Sequence, residues 1–405
     1  MTVITGLGII APNGLGTERY WDATLSGRSG IGELDRFDTT GYPSRLAGLV
    51  RDFDAAQYLP GRLLPQTDIC TRLALTAAGW AIEDAGLDTA AVRDYDMSVV
   101  TANASGGFEF THREFRKLWT RGPEHVSVYE SFAWFYAVNT GQISIRHGMR
   151  GPSCALVTEQ AGGLDALGQA RRTIRAGTRV VVGGGADSAF DPWGALSQTA
   201  GGRVSADPDP ATAYRPFDTR AAGYLPGEGS AILVLEATES ARARGARAYG
   251  ELAGYAATFD PAPGSDRPPG LGRAASLALA DAGITPAEVD VVFADAAGLP
   301  ELDRSEALAL RELFGAGGVP VTAPKSLTGR VFSGGGTLDV VCALMSIRDG
   351  VIPPTFGTRS VPAEYGLDLV LGTARQTRVD TALVLARGRW GFNAAVVIRS
   401  VEKGS

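Results

Sequence analysis

The stretch Val157–Ala170, VTEQAGGLDALGQA, has the layout of a turn that presents a nucleophile. A short apolar strand at Leu156 and Val157 leads in, Gly162 and Gly163 follow, and a helical pattern starts with Leu164 and Leu167. A helix N-terminus exposes unpaired N–H groups and the positive end of the helix dipole. Those features lower a thiol's pKa and hold an oxyanion, so a cysteine here would be reactive. The turn instead carries Glu159 and Gln160. A carboxamide neither titrates near neutral pH nor attacks a carbonyl, which confines Gln160 to hydrogen bonding.

The remaining reactive residue types are few. His112, His125 and His147 are the three histidines, and all fall in one segment of the N-terminal half. An acid–base site that draws histidines from both halves is therefore excluded. Cys70, Cys154 and Cys342 lie far apart, with no metal spacing and no disulfide framework. Cys154 precedes the turn in GPSCALVT, where strand periodicity makes it a buried or interface side chain. Cys70 and Cys342 read as small core hydrophobes.

The elements that must hold the turn alternate in type. VITGLGIIAPNG is a β-branched strand entering a Gly/Pro turn. RLALTAAGWAIEDAGL (Arg72–Leu87) is an Ala-rich helix with Gly86 at its C-terminal cap. DMSVVTANASGG, RVVVGGGADSA, AILVLEA and VDVVFADAAG read as strands. FEFTHREFRKLW, RSEALALRELFG and GGTLDVVCALMSIRDG read as helices, the last ending at Gly350, and TALVLARGRWGFNAAVVIRS as a closing hairpin. This alternation predicts an α/β fold with mostly buried sheets. Two polar, Pro-rich stretches interrupt it, Gly201–Pro216 and Asp260–Gly272, and a strand-and-helix series restarts after the second. The expected division is 1–257 and 258–405.

At 405 residues, with 44% hydrophobic and 20% charged residues, the composition is that of an ordinary globular protein. The formal net charge of −6 offers nothing to nucleic acid or to an anionic membrane surface. The first residues show no basic leader followed by an apolar stretch, and no run of about 18 apolar residues occurs. A cytoplasmic location is expected.

Three further segments carry a resemblance. RPFDTRAAGYLPGEGSAILVLE (Arg215–Glu236), FADAAGLPELDRSEALAL (Phe293–Leu310) and KSLTGRVFSGGG (Lys325–Gly336) resemble, in order, the signature segments of ketosynthases. With the Gln160 turn they span the chain, which is identified as a member of the thiolase-like condensing-enzyme family. The resemblance implies a five-layered αβαβα fold of two similar halves, each with a mixed sheet, and a central helix pair. Ketosynthases use a cysteine and two histidines to take an acyl chain from an acyl carrier protein and to decarboxylate a malonyl extender. Matched residue by residue, the cysteine falls on Gln160, the first histidine on Asp295 and the second on Arg330. Lys325 and Glu306 are retained. A free-standing condensing enzyme or thiolase fails on this inventory.

The pattern is similar to the chain length factor, or ketosynthase-beta, subunits of type II aromatic polyketide synthases. That implies a heterodimer with an active ketosynthase-alpha, served by an acyl carrier protein whose phosphopantetheine carries malonyl or polyketide chains, with no cofactor. Gln160 then has two readings: a structural amide at a helix start, or part of a malonyl-carrier decarboxylase that supplies the acetyl primer. Asp295 and Arg330 are expected to pair with each other, or with Lys325 and Glu306, and so fill the pocket. On the helix FEFTHREFRKLW, the residues Phe108, Thr111, Phe115 and Leu118 share one face. Taken alone that is the core stripe of an amphipathic helix; the resemblance makes it the wall of a polyketide channel, and its bulk implies a product near an octaketide or decaketide. GRWGFNAAV (Gly388–Val396) replaces a flexible glycine-rich loop of the family. SFAWFYAVN (Ser131–Asn139) either fills the core or packs on a partner.

Overall fold

The computed structural model describes residues 1–262 and 264–401. Pro263, in the stretch expected to divide the chain, lies outside them.

Strand β1 (Thr2–Ala11) is buried along its whole length. Helix α1 (Ile69–Asp84) lies directly on it because both surfaces are stripped of side chains. A Cβ on Gly6 would stand 2.1 Å from the Ala81 carbonyl oxygen, and one on Gly8 1.9 Å from that of Ala77. The Ala-rich composition of this helix is thus a packing requirement. It starts earlier than its periodicity suggests, since the Asp68 carboxylate caps it by accepting from Cys70 N at 2.9 Å.

Three parallel strands follow: β2 (Met97–Ala102), β3 (Cys154–Leu156) and β4 (Val180–Asp187). Strand β5 (Gly229–Ala237) pairs antiparallel with both β4 and β1. The order is β3-β2-β4-β5-β1. The second half repeats it. Strands β6 (Gly250–Phe259), β7 (Val291–Phe293), β8 (Pro320–Thr322), β9 (Thr381–Arg387) and β10 (Phe392–Arg399) are ordered β8-β7-β9-β10-β6, with the same strands parallel and antiparallel. The two sheets touch at the pairs Val3/Glu251 and Ile4/Gly250. Residues 257 and 258 sit within β6.

Seven helices used below complete the scaffold: α2 (Phe108–Arg121), α3 (Val138–His147), α4 (Gly162–Arg175), α5 (Pro192–Thr199), α6 (Leu271–Ala282), α7 (Pro300–Phe314) and α8 (Ser333–Asp349). Helices α1 and α3 cover the outer face of the first sheet, α6 and α7 that of the second, and α4 and α8 fill the layer between. This is the five-layered αβαβα arrangement. The apolar residues of α4 and α8, including Leu164, Leu167, Val340 and Leu344, join both sheets in one core.

The central helices meet through glycine. A Cβ on Gly163 would lie 2.4 Å from the Ser333 carbonyl oxygen and 2.4 Å from Thr337 Oγ1. Main chain at that distance has nowhere to go. We expect Gly163→Val to cost about 3 kcal/mol or more by overpacking and to show as loss of soluble chain. Gly79→Ala on α1, where a Cβ meets nothing within 4 Å, should be neutral or slightly stabilising, by up to about 1 kcal/mol.

Candidate active site

The turn ending in Gln160 keeps its special backbone. Glu159 has φ 54°, in the left-handed region where a non-glycine residue is strained. Strand β3 stops at Leu156, so Val157 belongs to the turn and not to the strand. The Glu159 carboxylate accepts from Gln160 N at 2.8 Å and from Arg389 N at 3.0 Å, which ties the turn to the loop after β9. Gln160 is fully buried, and neither its Oε1 nor its Nε2 has a partner among the described residues. It sits against α8, where a Cβ on Gly335 would stand 2.3 Å from Nε2. Ala296 at φ 51°, Phe332 at φ 44° and Trp390 at φ 68° are strained as well. Each adjoins a segment singled out in the sequence. Backbone strain of this kind costs about 1–3 kcal/mol per residue and gathers at functional sites.

Asp295, Arg330, Lys325 and Glu306 converge from β7, the segment before α8, and α7. Asp295 and Arg330 form a forked pair, Nη2 to Oδ1 at 2.9 Å and Nη1 to Oδ2 at 3.3 Å, with both side chains buried. Asp295 Oδ1 also accepts from Arg387 N at 2.8 Å, and Arg330 donates to the carbonyls of Asp295 and Arg387. Burial pushes the Asp295 carboxyl upward, but the charges of Arg330, Lys325 and Arg387 outweigh it and hold the group below its usual range. The Arg330 guanidinium lies over the Tyr224 ring, 5.4 Å from its centre.

The two retained residues have other partners. Lys325 pairs with Asp339 on α8 at 2.7 Å and donates to the carbonyls of Ala294 and Asp295. Glu306 receives the N–H groups of Asp295 and Ala296 at 2.7 and 2.9 Å. Of the two pairings expected, the structure has the first: Asp295 and Arg330 pair with each other, while Glu306 holds the strained Ala296 turn. Burial first, then the neighbouring Asp295 charge, pushes the Glu306 carboxyl upward. Burial raises Asp339 to about 6 against the pull of Lys325. The sequence reading missed Asp339, although one acid in the apolar run TLDVVCALM is a visible signal. The space left beside the forked pair is about 20 Å³.

Cysteine supplies no substitute. Cys154 is half-buried on β3 and burial raises its thiol. Cys70 and Cys342 are buried, and burial raises them too. A nucleophile needs the opposite shift.

Helix α2 departs from a plain core helix. Its buried face is Phe110 and Glu114, with Glu114 bound by Lys117, Arg113 and Ser127 N. Phe108, Thr111 and Phe115 are only half-buried, and Leu118 is 36% exposed. The core-stripe reading of these four residues is corrected accordingly. Phe108 and Phe115 face α5, where Trp193 lies 4.8 Å from the Phe108 ring and 6.4 Å from that of Phe115. His112 pairs with Asp191, the residue that caps α5. The aromatic segment at Ser131–Asn139 is not core filling either, since Trp134 and Phe135 are each 47% exposed. No helix among the described residues is long and apolar enough to cross a membrane.

Two mirrored α/β halves around a glycine-lined helix pair, with a strained turn at the head of α4, define a thiolase-type condensing-enzyme scaffold. The family model for the beta-ketoacyl synthase N-terminal domain matches residues 2–241, and that for the C-terminal domain matches 249–359. The actinorhodin polyketide putative beta-ketoacyl synthase 2 of Streptomyces coelicolor is 69% identical over 398 residues, covering 98% of each chain. The tetracenomycin polyketide synthase ketoacyl synthase beta subunit of Streptomyces glaucescens is 59% identical over 399 residues, again with 98% of each covered. Among solved structures, the ishigamide ketosynthase/chain length factor matches with a TM-score of 0.90 and 28% identity over 99% of each chain. A type II acyl-carrier protein in complex with its ketosynthase bound to the hexaketide matches at 0.87 and 26%, also over 99% of each. The chain belongs to the beta-ketoacyl synthase family, in its ketosynthase-beta (chain length factor) branch.

Proposed function

We propose that this chain is the non-catalytic partner of an active ketosynthase-alpha subunit and sets the length of the polyketide made by the heterodimer. The observation that carries the reading is the forked Asp295–Arg330 pair beside the Gln160 turn. The positions where the family keeps a cysteine and two histidines hold an amide and a closed ion pair, and about 20 Å³ remains beside them. No acyl thioester fits such a space. In this reading the backbone of the turn persists because Glu159, Gln160 and Ser333 knit the two halves together, with Ser333 Oγ donating to the Glu159 carbonyl at 3.2 Å. A division into two halves belongs to the same proposal, with the whole of β6 in the second: the first half supplies α2 and Gln160, the second Asp295, Lys325 and Arg330.

The half-exposed face of α2, continued by Trp119 at 74% exposure and by Trp134 and Phe135, supports a channel wall and partner surface. A hydrophobic surface this rich in aromatics suits an interface. The acyl carrier protein would deliver malonyl and polyketide chains to the partner's cysteine.

A second reading has its own observation. The unpartnered, fully buried amide of Gln160 could bind a malonyl carbonyl and assist decarboxylation that supplies the acetyl primer. Co-expression with ketosynthase-alpha and carrier protein separates the two. The ruler reading expects Gln160→Ala to keep product length and most turnover. A product that disappears and returns when an acyl primer is supplied would establish the decarboxylase instead.

A further inference from the structure

Arg387 closes β9 and is 6% exposed, yet its Nε and Nη2 have no hydrogen-bond partner among the described residues. Its one polar contact through the side chain is Nη1 to the Leu302 carbonyl at 3.4 Å. A buried guanidinium edge left without an acceptor is costly, so such groups are found with a partner. Arg387 lines the cavity of about 20 Å³ beside the forked pair, together with Glu159, Arg203, Asp295, Arg330 and Arg389. The lining is unbalanced in charge. Asp295 is taken by Arg330 and Arg387 N, and the Glu159 carboxylate by two main-chain N–H groups. Arg203, Arg387 and Arg389 make no ion pair among the described residues. The Arg387 charge bears on Asp295 and Glu306 without contact. Arg203 is exposed and Arg389 half-buried, so cationic side chains lead from the surface to the unsatisfied donors.

We propose that this cavity is a binding site for one small inorganic anion of halide size, held by Nε and Nη2 of Arg387 and favoured by Arg203 and Arg389 at its mouth. The volume admits one water-sized species. It excludes sulfate and the carboxylate of an acyl group. A water molecule would satisfy the donors but leave the excess positive charge, which the anion removes. Bound there, it joins the loop at Gly388 and Arg389 to the Asp295–Arg330 pair. The proposal stands independently of which function Gln160 serves.

The test uses the chain co-purified with its catalytic partner. In crystals soaked with bromide, we expect anomalous density within hydrogen-bond distance of Arg387. In solution, chloride at about a hundredfold above its dissociation constant should raise the melting temperature by roughly 2–4 °C over gluconate at equal ionic strength. Arg387→Met should abolish that difference. Should this variant fail to assemble, Arg203→Ala and Arg389→Ala should each weaken the chloride effect severalfold. Equal melting in both salts with only water beside Arg387 overturns the site. So does bromide density without any melting shift, which would mark an adventitious ion only.

Discussion

Replacing Arg330 with alanine should destabilise the chain by about 3–5 kcal/mol, because it strands the Asp295 carboxylate in a buried site. Asp295 is 0% exposed and Arg330 4% exposed, so no solvent takes the place of the lost partner. Asp295→Ala should cost a similar amount by leaving the guanidinium over Tyr224 without its counter-charge. The double variant, Asp295→Ala with Arg330→Ala, should cost less than the sum. It removes both charges together, although the carbonyls of Asp295 and Arg387 and the N–H of Arg387 still lose partners. We expect a coupling of about 2–3 kcal/mol in a double-mutant cycle, read by urea unfolding of the chain co-purified with its partner. Singles and double that add within about 0.5 kcal/mol would show that the fork is incidental to the fold. The prediction also bears on function. A pair this costly to open makes a poor acyl pocket, which is the physical basis of the non-catalytic reading.

Much of this scaffold was legible because its chemistry is local. The glycines of the QAGG and SGGG segments announce close approaches, and Gly163, Gly335 and Gly336 do bring α4 and α8 together. The Asp295–Arg330 pair was legible for another reason: opposite charges at two positions that the family directs into one pocket leave few alternatives. Other features depend on distant parts of the chain. Nothing near Lys325 says that Asp339, rather than Glu306, will be its partner. The partner is set by where α8 passes the segment before it. Which face of α2 turns inward is set by distant chain in the same way. Helical periodicity groups Phe108, Thr111, Phe115 and Leu118 correctly, but it cannot say which face meets the core. Here Glu114 goes inside, because Lys117, Arg113 and Ser127 N together satisfy its carboxylate. The pairing of His112 with Asp191 likewise depends on α5 lying alongside.

The product itself should lengthen when the α2 face is trimmed. On the proposed reading, Phe108 and Phe115 close the channel in which the chain grows, and both pack beside the Trp193 ring. That packing matters because a side chain free to swing aside cannot stop an advancing acyl chain. Phe115→Ala removes a ring that contacts both Trp193 and Trp119, while Phe108→Ala removes the one packed closest to Trp193. Co-expressed with ketosynthase-alpha and carrier protein, each variant should shift the product mass upward by one or more whole two-carbon units. The double variant should extend it further. Thr111→Ala removes little bulk and should leave length unchanged, and Leu118→Ala, at the most exposed of the four positions, should do the same. The fold should survive all four, since Phe110 and Glu114 carry the buried face of the helix. That separation is what makes the experiment decisive: a change in yield without a change in mass would mean that α2 only supports the partner. An unchanged product from both phenylalanine variants would remove this helix from chain-length control altogether.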